Sequence, residues 1–491
     1  MCKPTLDNMG WTKTKLFGAP APRWPRLSKL VENGELLPID LAYAEKMATI
    51  EEEAAIHCGL LLALRKGHLC LDLSHLDEFP PLFQQLIQKG ANGKTRFSLP
   101  KSRHFEEKII DNLRRLLNLS HEPLTCTPAP DLNDEQQEAL RKSLTNPFCL
   151  ITGGPGTGKT YTASQIVEAF RSHGKTNILL TAPTGKAAAH LSTITQTEGK
   201  TLHRLLQVRG PLDYLQEPEP LEADLVIVDE ASMIDPPLFA RLLAAIGPGT
   251  TLILMGDKNQ LPAVQGGSLF ADLLDTKIPS TTLQTCMRSD RTEILDLAQS
   301  ILTGASGDIR TLDLGFGESD LEKIYQNLWN YAKKHAPTNW QEAPNSFRIL
   351  STLRKGPLGV DALNRYLFEQ FSASQAPILI TRNDPRTGLT NGETGVLIDS
   401  KIAHFAGKDP LPIDQLPPFE YAYCLSVHKS QGSEYDHVLL LVPEGSEAFG
   451  REVIYTAVTR AKTHVDIDGN PGVIAEALAK VSGKVSSLAS L

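Results

Sequence analysis

Apolar residues recur at helical spacing through Leu41–Leu64, and the pattern then changes character twice along the chain. The residues up to about Leu119 are helix-rich in pattern and hold no catalytic constellation. Ser120–Pro130 (SHEPLTCTPAP) is polar and proline-rich and predicts a linker. Beyond it, the apolar runs Phe148–Ile151, Asn177–Thr181, Asp224–Val228 and Thr251–Met255 predict strands, and Tyr161–Phe170 predicts a helix. Short apolar strands separated by helical segments predict a parallel sheet covered on both faces. Gly210–Glu222, acidic and carrying three prolines, predicts an exposed excursion before the Asp224 strand. A second alternating region runs from about Phe347 to Gly469. Within it, Ile378–Pro418 has short strands and glycine turns such as Asn391-Gly392, which predict a small β-barrel insert. Leu302–Asn345 is polar and helix-biased, and the tail from Lys480 is expected to fray. No internal repeat is visible.

Length and composition bound this picture. A chain of 491 residues exceeds one ordinary core, so several domains are expected. With 41% hydrophobic and 22% charged residues the composition is that of a soluble globular protein. No apolar stretch is long enough to span a bilayer, Gly59–Leu64 being a piece of a core helix, so no membrane partner is expected. The N-terminus lacks a charged-then-apolar signal pattern. The 7 cysteines are odd in number, scattered and without a CxxC pair. That favours reduced thiols in the cytoplasm and disfavours a disulfide frame or cysteine zinc site. A net charge of -8 neither announces nor excludes nucleic-acid binding, since a basic channel can sit on an acidic protein.

The densest chemistry is the stretch GGPGTGKT, Gly153, Gly154, Pro155, Gly156, Thr157, Gly158, Lys159 and Thr160, between the Phe148 run and the Tyr161 helix. Strand, glycine-rich loop and helix in that order are what a phosphate-binding P-loop requires. Glycines let the backbone curl round phosphates, and the helix N-terminus faces negative charge. Lys159 would reach the β/γ-phosphates of ATP, and Thr160 would put its hydroxyl on Mg²⁺. The Asp224 strand ends in Asp229 and Glu230, at the sheet edge beside this loop. Asp229 suits Mg²⁺ coordination through water, and Glu230 suits activation of the attacking water. After the third strand, Gln260 is placed to sense the γ-phosphate. Arg288 and Arg460 are candidate fingers for transition-state charge, a role worth about 10³–10⁵ in rate.

An ordered set of motifs then carries a family resemblance. GGPGTGKT, APTGKAAAHLS (Ala182–Ser192), TLHRLL (Thr201–Leu206), VIVDEASMID (Val226–Asp235), GDKNQLP (Gly256–Pro262), CMR ending at Arg288, NGETG (Asn391–Gly395), HKSQGSE (His428–Glu434) and YTAVTRAK (Tyr455–Lys462) follow in this sequence. Over roughly Leu132–Asp468 the set resembles the superfamily-one DNA helicases and, among them, the RecD family, the α subunits of exodeoxyribonuclease V (RecBCD). Arg65–Ser74 also resembles, more thinly, a stretch in the N-terminal region of that family.

The resemblance implies an α/β fold with two RecA-like P-loop motor domains. The expected layout is a helical N-terminal domain for subunit docking over residues 1–120, a first motor domain over 121–290 and a second over 291–480. The barrel insert would occupy 378–420. Gln136 would read adenine, with Gln137 as the neighbouring alternative. Gln260, Arg288 and Arg460 would couple the γ-phosphate to domain closure. Thr184, Lys186, Thr201 and His203 would lie along single-stranded DNA on the first motor, and His428, Ser430 and Gln431 on the second. The implied activity is ATP-dependent, 5′→3′ DNA unwinding from duplex ends, with RecB- and RecC-like partners in double-strand break repair. No nuclease carboxylate cluster is visible. A stand-alone helicase of the same family and a regulatory ATP-dependent DNA clamp remain as alternatives. A relaxase fragment is disfavoured because no histidine cluster for metal-assisted strand cleavage is apparent.

Overall fold

The computed structural model describes residues 24–65, 70–72, 88–89, 95–263, 269–286, 292–305, 309, 311–315, 320–371 and 374–480. Arg288, the tail beyond Lys480 and most of Arg65–Ser74 lie outside the described residues.

Helices α1 (Pro25–Glu32), α2 (Pro38–Met47) and α3 (Glu51–Arg65) open the described chain. Proline starts α1 and α2, at a position where its missing N–H has no helical partner to lose. The three close on Trp24, Leu27, Leu41, Ala44 and Cys58. A small antiparallel sheet of β1 (Cys70–Asp72), β2 (Gln88–Lys89) and β3 (Thr95–Ser98), in the order β1-β3-β2, joins them, which the helical pattern did not announce. Phe97 of β3 packs on Ile56 and Leu60 of α3.

Helix α4 (Pro100–Leu117) takes no part in that core. Its Phe105, Ile109, Leu113 and Leu116 are buried with Phe148, Val226 and Leu242 in the first motor unit. Arg115 fastens the contact by donating to the carbonyls of Ile246 and Leu243. Physically, α4 belongs with the motor although it precedes residue 120. The Ser120–Pro130 stretch is irregular, as its prolines predict, and is bonded to α5 (Asp134–Thr145) through Leu124 N–H to Leu144 O at 2.9 Å.

The first motor sheet has six parallel strands in the order β6-β5-β7-β8-β4-β9. They are β4 (Phe148–Gly153), β5 (Ile178–Ala182), β6 (Gly199–Thr201), β7 (Leu225–Val228), β8 (Thr251–Gly256) and β9 (Ser280–Leu283). Every residue of β4, β7 and β8 is buried, which is why these runs lack a polar face. Helices α6 (Lys159–Ser172), α7 (Gly185–Thr195), α8 (Leu202–Leu205), α9 (Pro236–Ala245) and α10 (Leu269–Leu274) connect them. The Gly210–Glu222 excursion exposes Leu212 and Leu215.

The second motor sheet, also parallel, runs β10-β19-β18-β11-β17. Its strands are β10 (Thr311–Leu312), β11 (Phe347–Ser351), β17 (Cys424–Ser426), β18 (Tyr435–Val442) and β19 (Ala461–Gly469). Helices α11 (Thr292–Thr303), α12 (Leu321–His335), α13 (Val360–Gln370), α14 (Arg451–Val458) and α15 (Pro471–Ala479) pack around it.

The insert is a five-stranded antiparallel sheet, β15-β14-β13-β12-β16, made of β12 (Gln375–Ile380), β13 (Thr394–Ile398), β14 (Ile402–Phe405), β15 (Leu411–Pro412) and β16 (Phe419–Tyr421). Its edge strands β15 and β16 are not paired with each other among the described residues, so an open sheet stands where a closed barrel was expected. Closure is unnecessary because Ile378, Val396 and Phe405 share a core with Phe347, Leu363 and Leu439 of the motor.

Candidate nucleotide site and nucleic-acid groove

The P-loop forms where the sequence puts it, between β4 and α6. Gly158 caps α6 at φ +82°, a left-handed conformation that a side chain would strain. A Cβ on Gly153 would stand 2.6 Å from Thr157 Oγ1 and 2.8 Å from Leu283 O. Thr157 closes the loop by donating to Gly154 O at 2.8 Å. Lys159 Nζ folds back onto the carbonyls of Gly153 (2.7 Å) and Gly154 (3.0 Å), so a phosphate can claim this cation without breaking a salt bridge. Gln136 is fully buried behind the loop, its Oε1 accepting from Asn133 N–H and its Nε2 donating to Thr157 O at 3.4 Å. Gln137 donates to Leu132 O instead.

Asp229 and Glu230 follow β7 at the carboxyl edge. Asp229 is buried and accepts Glu230 N–H at 2.8 Å. Burial pushes the Asp229 carboxyl above its ordinary range, and the nearby Lys159 opposes the shift. Glu230, in a left-handed conformation at φ +52°, is raised by burial and then by Asp229, with Arg460 and Lys159 opposing. Arg460 is thus close enough to act electrostatically on Glu230. Its guanidinium is buried, donating to Thr456 O and Ser433 O.

The segment after β8 reaches across to the second motor. Tyr455 Oη of α14 donates to Asp257 Oδ2 at 2.9 Å. Leu261 N–H donates to Thr456 Oγ1 at 2.8 Å, and Gln431 Nε2 donates to Leu261 O at 2.9 Å. Gln260 donates to Asp257 at 3.3 Å, while its buried Oε1 has no hydrogen-bond partner. Beside the loop a cavity of about 450 Å³ is lined by Gly154, Asp257, Asn259, Gln284 and Tyr455. The Tyr455 hydroxyl is 3.4 Å from where a Gly154 Cβ would be. Sequence reasoning did not single out Tyr455 or Asp257, although both stand inside motifs it quoted.

A second cavity, about 930 Å³, opens between the first motor and the insert. Lys186, Lys200, Arg204 and Lys408 line it, with Glu393 as its acidic residue. Lys408 is ion-paired with Glu393 at 2.7 Å, so Lys186, Lys200 and Arg204 give the lining its positive balance. Lys200, Arg204 and Lys408 were missed, Arg204 although it is part of TLHRLL.

Of the residues expected along DNA, Lys186 and Thr201 line this groove. Thr201 caps α8 and Thr184 caps α7, each accepting a backbone N–H, which leaves the hydroxyl proton free to donate. Thr184 Oγ1 lies 3.1 Å from where a Gly432 Cβ would stand, so the APTGK and HKSQG loops touch. Lys186 donates to Ser433 Oγ at 3.0 Å across the same contact, and burial pulls its pKa down to about 8. His203 is exposed beside the Tyr214 hydroxyl, and His428 packs edge-on near Phe449. Ser430 is fully buried and donates to Val427 O. Gln431, bonded to Leu261, thus stands at the contact between the motors, while the Ser430 hydroxyl is spent inside its own loop, and neither lines the groove.

Residues 131–315 match the AAA domain family, and residues 421–467 match the UvrD-like helicase C-terminal domain. The RecBCD enzyme subunit RecD of Mycolicibacterium smegmatis is 32% identical over 94% of this chain and 98% of that protein. The chain belongs to the RecD family. It is an ATP-dependent DNA helicase of superfamily one. The ATP-dependent RecD2 DNA helicase of Deinococcus radiodurans is 31% identical over 78% of this chain and 56% of that protein. A solved structure of Bacteroides Pif1 bound to ssDNA aligns at TM-score 0.45 and 17% identity, covering 70% of this chain and 94% of that one. No described helix of this RecD-family chain is long and apolar enough to cross a membrane.

Proposed function

We propose that this chain is the RecD (α) subunit of a RecBCD-type helicase–nuclease and moves 5′→3′ along the single strand it grips at a duplex end. Likeness to a RecD subunit over 94% of this chain, against 78% to a RecD2 helicase, favours the subunit over the stand-alone enzyme. RecB- and RecC-like chains would be its partners, and repair of double-strand breaks its role. The six described cysteines are free, which fits work in the cytoplasm.

The observation that carries the motor reading is the direct bonding of the β8 loop to α14 beside the P-loop. Thr160 and Asp229 fit Mg²⁺, one as a hydroxyl at the head of α6, the other as a buried carboxylate offering oxygens. When bound, Mg²⁺ supplies charge neutralisation on the phosphates. Lys159 leaves the Gly153 and Gly154 carbonyls for the β/γ-phosphates. Glu230 takes the proton of the attacking water. Gln260, whose Nε2 can turn from Asp257 to donate to the γ-phosphate, reports it through Asp257 to Tyr455. Arg460, and Arg288 beside it in role, stabilise the developing charge. Gln136 shapes the loop behind the adenine site.

Thr184, Lys186, Thr201 and His428 would grip phosphates from the two motors, with Lys200, Arg204 and Lys408 added on the groove wall. Hydroxyls and a few cations suit a backbone that must be held and released each cycle. The N-terminal docking unit would end near Leu99, with α4 assigned to the first motor. Unwinding of duplexes with a 5′ or a 3′ single-stranded tail, by the chain alone and with co-expressed partners, tests this. Unwinding from the 5′ tail, strengthened by partners, is expected. Unwinding from the 3′ tail alone would reverse the polarity, and full processivity alone would favour the stand-alone enzyme.

A further inference from the structure

In the second sheet, two neighbouring strands gather two histidines and an aspartate. His437 lies on β18, and His464 and Asp466 on β19. Side chains alternate along a strand, so His464 and Asp466 share a face. The parallel register sets His437 beside His464. Sheet hydrogen bonding therefore positions all three. Nε2 of His437 and Nε2 of His464 stand 3.0 Å and 3.2 Å from one atom, Asp466 Oδ2. One ligand atom from each residue lies within 4.8 Å of the others.

Helix α12 covers this face. Its Tyr331 hydroxyl also bonds Asp466 Oδ2 and stands 3.0 Å from His437 Nε2. The His335 ring at its C-terminus lies 4.7 Å from the His437 ring, edge to face.

The Tyr331 hydroxyl and two imidazole nitrogens thus crowd one carboxylate oxygen, which offers roughly two lone pairs. A single cation shared by both imidazoles and the carboxylate relieves that excess. A tetrahedral Zn²⁺ with ligands at about 2.0–2.2 Å places neighbouring ligand atoms about 3.3 Å apart. The observed 3.0 Å and 3.2 Å are close to that edge. The His464 side chain is 58% exposed and leaves an entry path. Two nitrogens and one carboxylate suit Zn²⁺, whereas Mg²⁺ takes oxygens and water.

We propose that His437, His464 and Asp466 form a binding site for a divalent transition-metal ion, Zn²⁺ foremost, with a fourth position open to solvent. The site is separate from the Mg²⁺ position of the nucleotide cleft. Tyr331 holds Asp466 in orientation, so the ion ties α12 to the β18–β19 pair. It is a structural site on the flank of the second motor.

The test uses the full-length, tag-free chain, stripped by chelator and returned to Mg²⁺ buffer, then titrated with Co²⁺ and with Zn²⁺. Co²⁺ is expected to give the visible absorption of a tetrahedral site, displaced by stoichiometric Zn²⁺, and Zn²⁺ is expected to raise Tm. His464→Gln, an exposed change, should weaken Co²⁺ binding at least about tenfold while DNA-stimulated ATP hydrolysis is kept. No tetrahedral spectrum in the folded wild-type chain, or the same spectrum and affinity in His464→Gln, would overturn the assignment and leave a hydrogen-bonded cluster.

Discussion

Tyr455 Oη donates to Asp257 Oδ2 at 2.9 Å, joining α14 of the second motor to the loop after β8 of the first, beside the P-loop. The pair closes the cleft on the side where Gln260 also meets Asp257. Burial, and then Asp257 itself, raise the Tyr455 hydroxyl pKa, so it stays protonated and donates at every physiological pH.

Tyr455→Phe removes this donor and little volume. A hydrogen bond to a charged group contributes about 1.5–3 kcal/mol. DNA-stimulated ATP turnover should fall about tenfold, with nucleotide affinity affected less. Steady-state ATPase assays with and without single-stranded DNA read this directly. An unchanged DNA stimulation would show that Tyr455 carries no coupling.

Lys159→Ala should bring ATP hydrolysis and unwinding to background while the chain stays folded. The ammonium bonds only loop carbonyls in the free protein, so the loss in stability should stay within about 1 kcal/mol. Turnover near wild type would remove this loop from the motor site, and a collapse of Tm would make the lysine structural.

For Glu230 the sign of the pH effect follows from its raised pKa. The folded chain holds this proton to higher pH than the unfolded chain, whose glutamate titrates near about 4.3. Stability from the group therefore falls as pH rises from there through the raised value, and the penalty is full above it. Glu230→Gln should melt above wild type at neutral pH while hydrolysing about 10²–10⁴-fold more slowly. Wild-type turnover should rise with pH through the same raised value, and the variant should lose that limb. A variant that neither binds nucleotide nor gains stability would make Glu230 a structural residue.

The position of α4 governs truncation. Deleting residues before Pro100 should spare DNA-stimulated hydrolysis and abolish assembly with RecB- and RecC-like subunits. Deleting residues before Ser120 also strips Phe105, Ile109, Leu113 and Leu116 from the first motor core. Each is worth about 1.5–3 kcal/mol of burial, against a total stability of about 5–15 kcal/mol. The longer deletion should therefore unfold. Circular dichroism melting of both truncations, with a pull-down from cells, separates loss of docking from loss of fold.

What could be read from sequence was what lies in one contiguous stretch. The P-loop is strand, turn and helix in a row, and Asp229 and Glu230 directly follow their strand. Tyr455 and Asp257 lie 198 residues apart, and only the docking of two sheets brings them together. Ser430 and Gln431 illustrate the converse. Their motif reads as a polar loop, yet the structure turns both inward, Gln431 onto Leu261. The insert's alternating strands announced a small antiparallel unit, but whether its edges join depends on the motor core that Ile378 and Phe405 share. The His437, His464 and Asp466 cluster needed the β18–β19 register, which no spacing in the chain encodes.

The most direct measurement of the central claim is ATP hydrolysis by the full-length chain, titrated with single-stranded DNA over a range of salt concentrations. Hydrolysis should rise with DNA, and log affinity should fall with log salt at about -0.7 per phosphate neutralised. Replacing Lys200, Arg204 and Lys408 with Gln should flatten that slope while leaving DNA-free hydrolysis unchanged. Hydrolysis indifferent to DNA, or binding independent of salt and of those three cations, would contradict a DNA motor working through this groove.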